Sequence, residues 1–400
     1  MAVSHYPPAS PSAPRILVVG CGGIGGTLGA NLLYQGQDVV LLTRNHLIAD
    51  AINSRGLQTR GELSLGDVPG RAVTALSPKQ RGTFDIVILA TQPPQVEDAA
   101  RQTVDFLAPQ GDFVCCQNGL CEERVAPIVG GQHRVIGAVV TWGASMIEPG
   151  IYDRTSGGGF VLGRLDGSRD ARLERLAMLL EAVGPVSLTE NLRGARWSKL
   201  AINCAISSLG TIGGDRLGVL MRRRFVRRLA LEIMTETVQV ARVQELHLEK
   251  VAGTLDLDWL ALNEGERHAK LGSSGLFAKH ALLLAVGARY RRLRSSMLSA
   301  IERGRTPAIE FLNGEVATRG RLYGIPTPVN DAIIEAIGRV AHDQQKPGMA
   351  GLERLFTETD AVRGPRSDGI PLSVTPSEAP APMASADETA SAGAQEDEPR

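Results

Sequence analysis

Short apolar runs alternate with stretches of helical periodicity through the first third of the chain. Residues 16–19, 39–42, 84–90 and 113–117 are runs of apolar and β-branched residues. Runs of that length and purity read as strands buried on both faces, hence parallel. Residues 134–140 offer one more. Residues 26–35 and 95–107 place apolar side chains at helical spacing between the runs. The alternation predicts an α/β fold whose N-terminal part is a doubly wound Rossmann sheet. Residues 157–163 read as a further strand and turn, and 172–183 as a helix. From residue 194 to about 356 the period is helical almost throughout, clearest in 225–243, 276–293 and 332–340. The expected organisation is a Rossmann dinucleotide-binding domain over 15–190 and a helical domain over 191–358. Residues 1–14, rich in Pro, Ser and Ala, are expected to be a disordered leader. Residues 359–400, rich in Pro, Ala, Ser, Thr, Glu and Asp, are expected to be a disordered tail.

Chemistry enters at the first turn. Gly20-Cys21-Gly22-Gly23-Ile24-Gly25 joins the first run to the first helical stretch. A glycine turn between strand and helix suits a dinucleotide: Gly20 permits the tight turn, Gly22 lets backbone approach a pyrophosphate, and Gly25 lets helix and strand pack closely. The N–H groups at the helix start, including those of Gly23 and Ile24, face the anion. The pattern alone is weak, but here it has its strand, its helix and a second strand at 38–43. NAD-selective sites usually carry a carboxylate at the end of that second strand. This chain has Thr43-Arg44-Asn45 instead. Arg44 is suited to a 2′-phosphate, with Thr43 or Asn45 assisting, so NADPH/NADP+ is the expected cofactor.

Composition narrows the function classes. Lys plus Arg and Asp plus Glu both number 43, and aromatic residues make up 4%. Neither a basic field nor a base-stacking surface is present, which argues against nucleic acid. No stretch has the length and purity of a membrane span. The five cysteines, Cys21, Cys115, Cys116, Cys121 and Cys204, are an odd number with mostly apolar neighbours. They read as reduced core thiols of a cytoplasmic protein, and their spacing matches no zinc site.

The second informative segment is Arg196-Trp197-Ser198-Lys199-Leu200-Ala201-Ile202-Asn203-Cys204-Ala205-Ile206-Ser207. Lys199, Asn203 and Ser207 are four apart and share one helix face among apolar neighbours. Such a stripe either lines a cleft or is the wet face of an amphipathic helix. In a cleft, Lys199 would suit protonation of a carbonyl oxygen, because burial lowers its pKa toward neutrality.

The glycine turn, Arg44, Gln117-Asn118-Gly119, Trp197-Ser198-Lys199-Leu200 with Asn203, Ser295-Ser296-Met297-Leu298, Ile309-Glu310-Phe311-Leu312-Asn313-Gly314 and Gly324-Ile325-Pro326-Thr327-Pro328-Val329-Asn330 occur in an order that resembles the ketopantoate reductase (2-dehydropantoate 2-reductase) family over roughly residues 15–356. The resemblance implies a Rossmann domain followed by a helical domain of the 6-phosphogluconate dehydrogenase C-terminal type, with the active site between them. It implies NADPH-dependent reduction of a 2-keto acid, as in pantothenate biosynthesis, with Lys199 as general acid. Asn118 would lie near the nicotinamide, Asn203 would position the lysine or the substrate, and Ser296 would hold the substrate. A homodimer through the helical domain is compatible with its apolar surface.

Four positions depart from the family pattern. Gln92 replaces a cofactor-facing lysine and Ser207 an asparagine, while Ala300 and Ala308 replace acids. Fewer oriented polar groups predict a shifted substrate. A catalytically impaired NADP(H)-binding sensor is the alternative, and a thiol enzyme using Cys115, Cys116 or Cys121 has less support. Residues 255–294 look longer than the family norm. Glu264, Glu266, Arg267, His268 and Lys270 there would serve a lid, an interface or a surface insertion without a role.

Overall fold

The computed structural model describes residues 13–62, 64–251, 255–268 and 273–363. Residues 1–12 of the expected leader, 364–400 of the expected tail and Lys270 lie outside them. Strands β1 (Arg15–Val19), β2 (Asp38–Leu42), β3 (Leu57–Gly61), β4 (Gly66–Val68), β5 (Arg71–Val73), β6 (Phe84–Leu89), β7 (Leu107–Cys115), β8 (Val135–Val140), β9 (Ala144–Glu148), β10 (Ile151–Arg154), β11 (Phe160–Arg164) and β12 (Val186–Leu188) form two sheets. Helices α1 (Gly23–Tyr34), α2 (His46–Arg55), α3 (Val96–Thr103), α4 (Cys121–Val129) and α5 (Ala171–Leu180) lie among them.

The larger sheet runs β12-β11-β8-β7-β6-β1-β2-β5, parallel except where β11 meets β8. Alternate residues of β1 enter different cores. Ile16 and Val18 pack on one face of the sheet, and Leu17 and Val19 on the other. A strand covered on both faces must be apolar at every position, which explains its continuous apolar run. The chain leaves β1 toward β2 on one side and returns to β6 on the other. Ligands of such sheets bind where that reversal opens a crevice beyond the strand ends.

The smaller sheet, β4-β3-β10-β9, was not anticipated. Its strands are short and several positions are exposed and polar, so they carry little apolar signal. It braces the glycine helix. Tyr152, fully buried on β10, donates a hydrogen bond to the Cys21 carbonyl at 3.2 Å. Its ring lies where a Cβ on Gly26 would be 2.1 Å away. The helix also starts at Gly23, earlier than the apolar pattern indicated, because glycines add nothing to that pattern.

From Leu192 onward every regular element among the described residues is helical: α6 (Leu192–Gly213), α7 (Leu217–Leu220), α8 (Arg224–Val243), α9 (Leu257–Leu260), α10 (Glu264–His268), α11 (Ser274–Arg289), α12 (Ser296–Ile301), α13 (Asn313–Leu322), α14 (Pro328–Ala341), α15 (Met349–Glu358) and α16 (Asp360–Arg363). A separate core gathers around α6 and α8. Helix continues to Arg363, past the expected start of the tail. No described helix is long and apolar enough to cross a membrane.

The 255–294 segment is pinned to α8. The Lys279 ammonium, buried, bonds the Glu266 carboxylate at 2.5 Å and the Ala261 carbonyl at 2.8 Å. Arg228 donates to the carbonyls of Glu266 and Arg267, and the Arg267 guanidinium reaches Gln239. Two of the charges expected to serve a lid or an interface, Glu266 and Arg267, are thus turned to internal anchoring.

Candidate functional site

The ends of β1, β6, β7 and β2 are level. Gly20 N–H donates to the Leu42 carbonyl at 2.8 Å, Ala90 N–H to Val19 at 2.8 Å, and Cys116 N–H to Leu89 at 3.1 Å. Four loops therefore leave one crest: the glycine turn, Thr43-Arg44, Thr91-Gln92 and Gln117-Asn118.

In the glycine turn, Gly20 has φ +98°, and a Cβ there would stand 2.9 Å from the Thr91 nitrogen. A Cβ on Gly25 would fall 1.9 Å from the Gly20 carbonyl oxygen, and one on Gly23 2.2 Å from the Ala144 carbonyl oxygen. Gly22 differs: a Cβ there would meet nothing within 4 Å. Gly22 is the N-cap of α1, and no side chain caps that helix. Open space and uncapped N–H groups at one point form the cradle a pyrophosphate fits. Gly23, by contrast, turns toward β9, and its carbon contributes to packing.

Thr43 is buried, and its hydroxyl accepts from Asn45 N–H at 3.3 Å. Asn45 caps α2, accepting from the N–H groups of Leu47 and Ile48. The cap commits the Asn45 carbonyl to the helix. Arg44 is exposed between them at the crest, as is Gln92 on its own loop. Asn118 is half-buried. The turn after it depends on Gly119 (φ +91°), where a Cβ would lie 2.5 Å from the Phe311 carbonyl oxygen. The helical part thus closes directly over the Asn118 loop.

Helix α6 brings the lysine to the same place. Asn191 caps it through Gly194 N–H at 3.0 Å, and Gly214 ends it in the left-handed conformation. Lys199 donates from Nζ to the Val140 carbonyl at the end of β8, at 2.6 Å. Burial, followed by the nearby Arg196 charge, pushes its pKa down to about 7. Nδ2 of Asn203, one turn on, is buried without a hydrogen-bond partner among the described residues. Such a donor costs stability unless something in the cleft accepts from it. Ser207, half-buried one turn further, uses its carbonyl to accept from the hydroxyls of Thr211 (2.7 Å) and Ser295 (2.8 Å).

Ser296 and its neighbour Ser295 differ in burial. Ser296 is exposed at the first turn of α12, while Ser295 is buried, caps that helix through Leu298 N–H and holds α6. Ala300 and Ala308 are half-buried, and Glu310 is exposed.

The sequence reading missed the pair beneath the lysine. The guanidinium of Arg196, nearly inaccessible, donates to the carbonyls of Gln117 (2.9 Å), Cys115 (2.8 Å) and Ala138 (3.3 Å), and to the buried Glu122 carboxylate. An arginine on an apolar helix, three residues before Lys199, was the available signal. Nothing local identified Glu122 as its partner.

All five cysteines are buried and unpaired. Burial pushes the Cys116 thiol up to about 12 and Cys115 well above its usual value, so neither is a ready thiolate nucleophile. Among the described residues, no three His, Cys, Asp or Glu side chains cluster as a metal site would need.

Known proteins agree with this architecture. Residues 16–167 match the family model "Ketopantoate reductase PanE/ApbA" and residues 191–341 the model "Ketopantoate reductase PanE/ApbA C terminal". The 2-dehydropantoate 2-reductase of Pyrococcus horikoshii is 26% identical over 317 residues, covering 79% of this chain and 94% of that protein. That of Mesorhizobium japonicum is 27% identical over 350 residues, covering 82% and 98%. A PanE/ApbA family ketopantoate reductase structure from Ralstonia eutropha JMP134 superposes with TM-score 0.67 at 24% identity, over 82% of this chain and 99% of that one. A D-mandelate dehydrogenase with NADH and anilino(oxo)acetate shares the fold at TM-score 0.68 and 19% identity, over 85% and 99%. The family models and the curated relatives define an oxidoreductase of the kind that reduces keto acids. Within that class, the chain belongs to the ketopantoate reductase family.

Proposed function

We propose that this protein reduces a 2-keto acid to a 2-hydroxy acid with NADPH, using Lys199 as the general acid. The observation that carries the reading is the lysine itself: a half-buried ammonium with a lowered pKa, held at the crest beside the Asn118 loop. A group that titrates near neutrality is well matched to proton transfer at physiological pH.

The open cradle at Gly22 and the uncapped start of α1 would hold the pyrophosphate. Arg44 would reach the 2′-phosphate from the end of β2, with Thr43 beneath it, and Asn118 would border the nicotinamide. Gln92 would line the same crevice as a neutral side chain. When bound there, the cofactor would supply a hydride to C2 of the keto acid. Lys199 would give its proton to the C2 oxygen, so that no free alkoxide develops. The orphaned Asn203 Nδ2 would donate to substrate oxygen, with Ser207 one turn further along the cleft and Ser296 at its rim.

Ketopantoate is the reference substrate, and pantothenate biosynthesis the corresponding pathway. Ser207, Ala300 and Ala308 favour a less polar 2-keto acid, because each shortens or removes a polar arm. NADPH oxidation followed by absorbance, with ketopantoate and a panel of bulkier 2-keto acids, separates the cases. Turnover at kcat/KM of about 10⁴ M⁻¹s⁻¹ or more identifies the working substrate. Tight NADPH binding with no turnover of any member would defeat the reductase reading in favour of a sensor.

Arg44→Ala is expected to weaken NADPH by about tenfold to a hundredfold, the loss of one charge-assisted contact of about 1.5–3 kcal/mol. NADH affinity should stay within about twofold. Equal losses for both, measured by fluorescence titration, would take Arg44 off the 2′-phosphate.

A further inference from the structure

We propose that Arg196, locked by Glu122, is the positioning residue that aligns Lys199 with the Asn118 loop. The proposal rests on Lys199 being the acid.

The geometry is that of a clamp. Arg196 leaves α6 one turn before Lys199, so the two side chains share a helix face. Its guanidinium bonds the carbonyls of Cys115 and Gln117, on either side of the end of β7. Gln117 directly precedes Asn118. A third bond reaches Ala138 on β8, two residues before Val140. Residues two apart on a strand lie on the same side of it, so Arg196 and Lys199 grip successive same-side carbonyls of β8. One planar fork thus ties together the helix carrying the acid, the strand holding its ammonium and the loop carrying Asn118. Glu122, on α4, bonds the same guanidinium nitrogen that reaches Cys115 and Ala138.

The burial argues that the pair does more than join two parts of the protein. Arg124–Glu315 and Arg319–Glu123 already tie α4 to α13 with side chains more open to solvent than those of Arg196 and Glu122. Taking an arginine and a glutamate wholly out of water is costly, and similar apolar residues often serve stability as well. What apolar residues cannot do is bond the three carbonyls that set the site.

The test uses the full chain. Arg196→Met with Glu122→Met removes both charges and leaves neither stranded. The double variant should retain its fold and bind NADPH within about twofold of wild type, while kcat falls about tenfold to a hundredfold through misplacement of the acid. Arg196→Lys keeps the charge against Glu122 but loses the fork, and should reduce kcat in the same direction with little change in KM. The decisive comparison adds Arg196→Lys to Lys199→Met. If Arg196 acts through the lysine, the added substitution lowers kcat no further. A wild-type kcat in Arg196→Lys, or a full additive loss on the Lys199→Met background, overturns the proposal. Failure of Lys199→Met itself to lower kcat would instead remove the acid assignment on which the proposal stands.

Discussion

Lys199→Met is expected to lower kcat by about 10²–10⁴, the usual contribution of a positioned acid. Methionine keeps most of the length and the apolar stem, so folding and NADPH affinity should persist. The lost interaction is made chiefly in the transition state, so kcat and kcat/KM should fall together. The same residue sets a pH profile. The conjugate acid of Lys199, with its pKa lowered to about 7, is the active form. kcat/KM should therefore be flat below that pH and fall about tenfold per unit above it, since only the protonated fraction donates. Lys199→Met should lose this alkaline limb. A variant that keeps both the rate and the limb would exclude the lysine as proton donor.

Gly25→Ala should be the most disruptive single methyl in the glycine turn. The added carbon would lie 1.9 Å from the backbone oxygen of Gly20, which has no rotamer by which to escape. Overpacking of this kind costs about 1–3 kcal/mol, and relief requires opening the turn itself. Melting temperature and NADPH affinity should both drop. Gly22→Ala provides the contrast. Its φ of −77° suits alanine and its Cβ meets nothing, so stability should change by less than about 0.5 kcal/mol. NADPH should nevertheless bind at least about tenfold more weakly, because the methyl would occupy the space the pyrophosphate approaches. Thermal melts with and without NADPH measure both effects. Unchanged affinity in Gly22→Ala would move the cofactor elsewhere.

The central strands were legible because burial on both faces demands apolar runs, as in residues 16–19 of β1 and 86–89 of β6. The helical half was legible by period. The smaller sheet was not, since β3 and β9 are short, half-exposed and mix polar with apolar residues. The site divided the same way. Lys199, Asn203 and Ser207 are linked by local helical spacing, and the structure places all three, half-buried, on α6. Arg196 and Glu122 are 74 residues apart, and no local pattern connects them. Ser296 was read through the family motif, and in the structure Ser295 is buried while Ser296 is exposed. A serine pair at a helix start does not reveal which member will cap the helix and which will face outward. Asn45 raises a similar ambiguity, and its side-chain oxygen caps α2.

Hydride transfer itself offers the most direct test. NADPH deuterated at C4 would be incubated with the protein and the best 2-keto acid from the panel, and the product analysed by mass spectrometry. Deuterium at C2 of the 2-hydroxy acid, at a rate that collapses in Lys199→Met, is the expected result. Product without label, or labelled product formed equally fast by the variant, would contradict reduction by hydride with Lys199 as the acid.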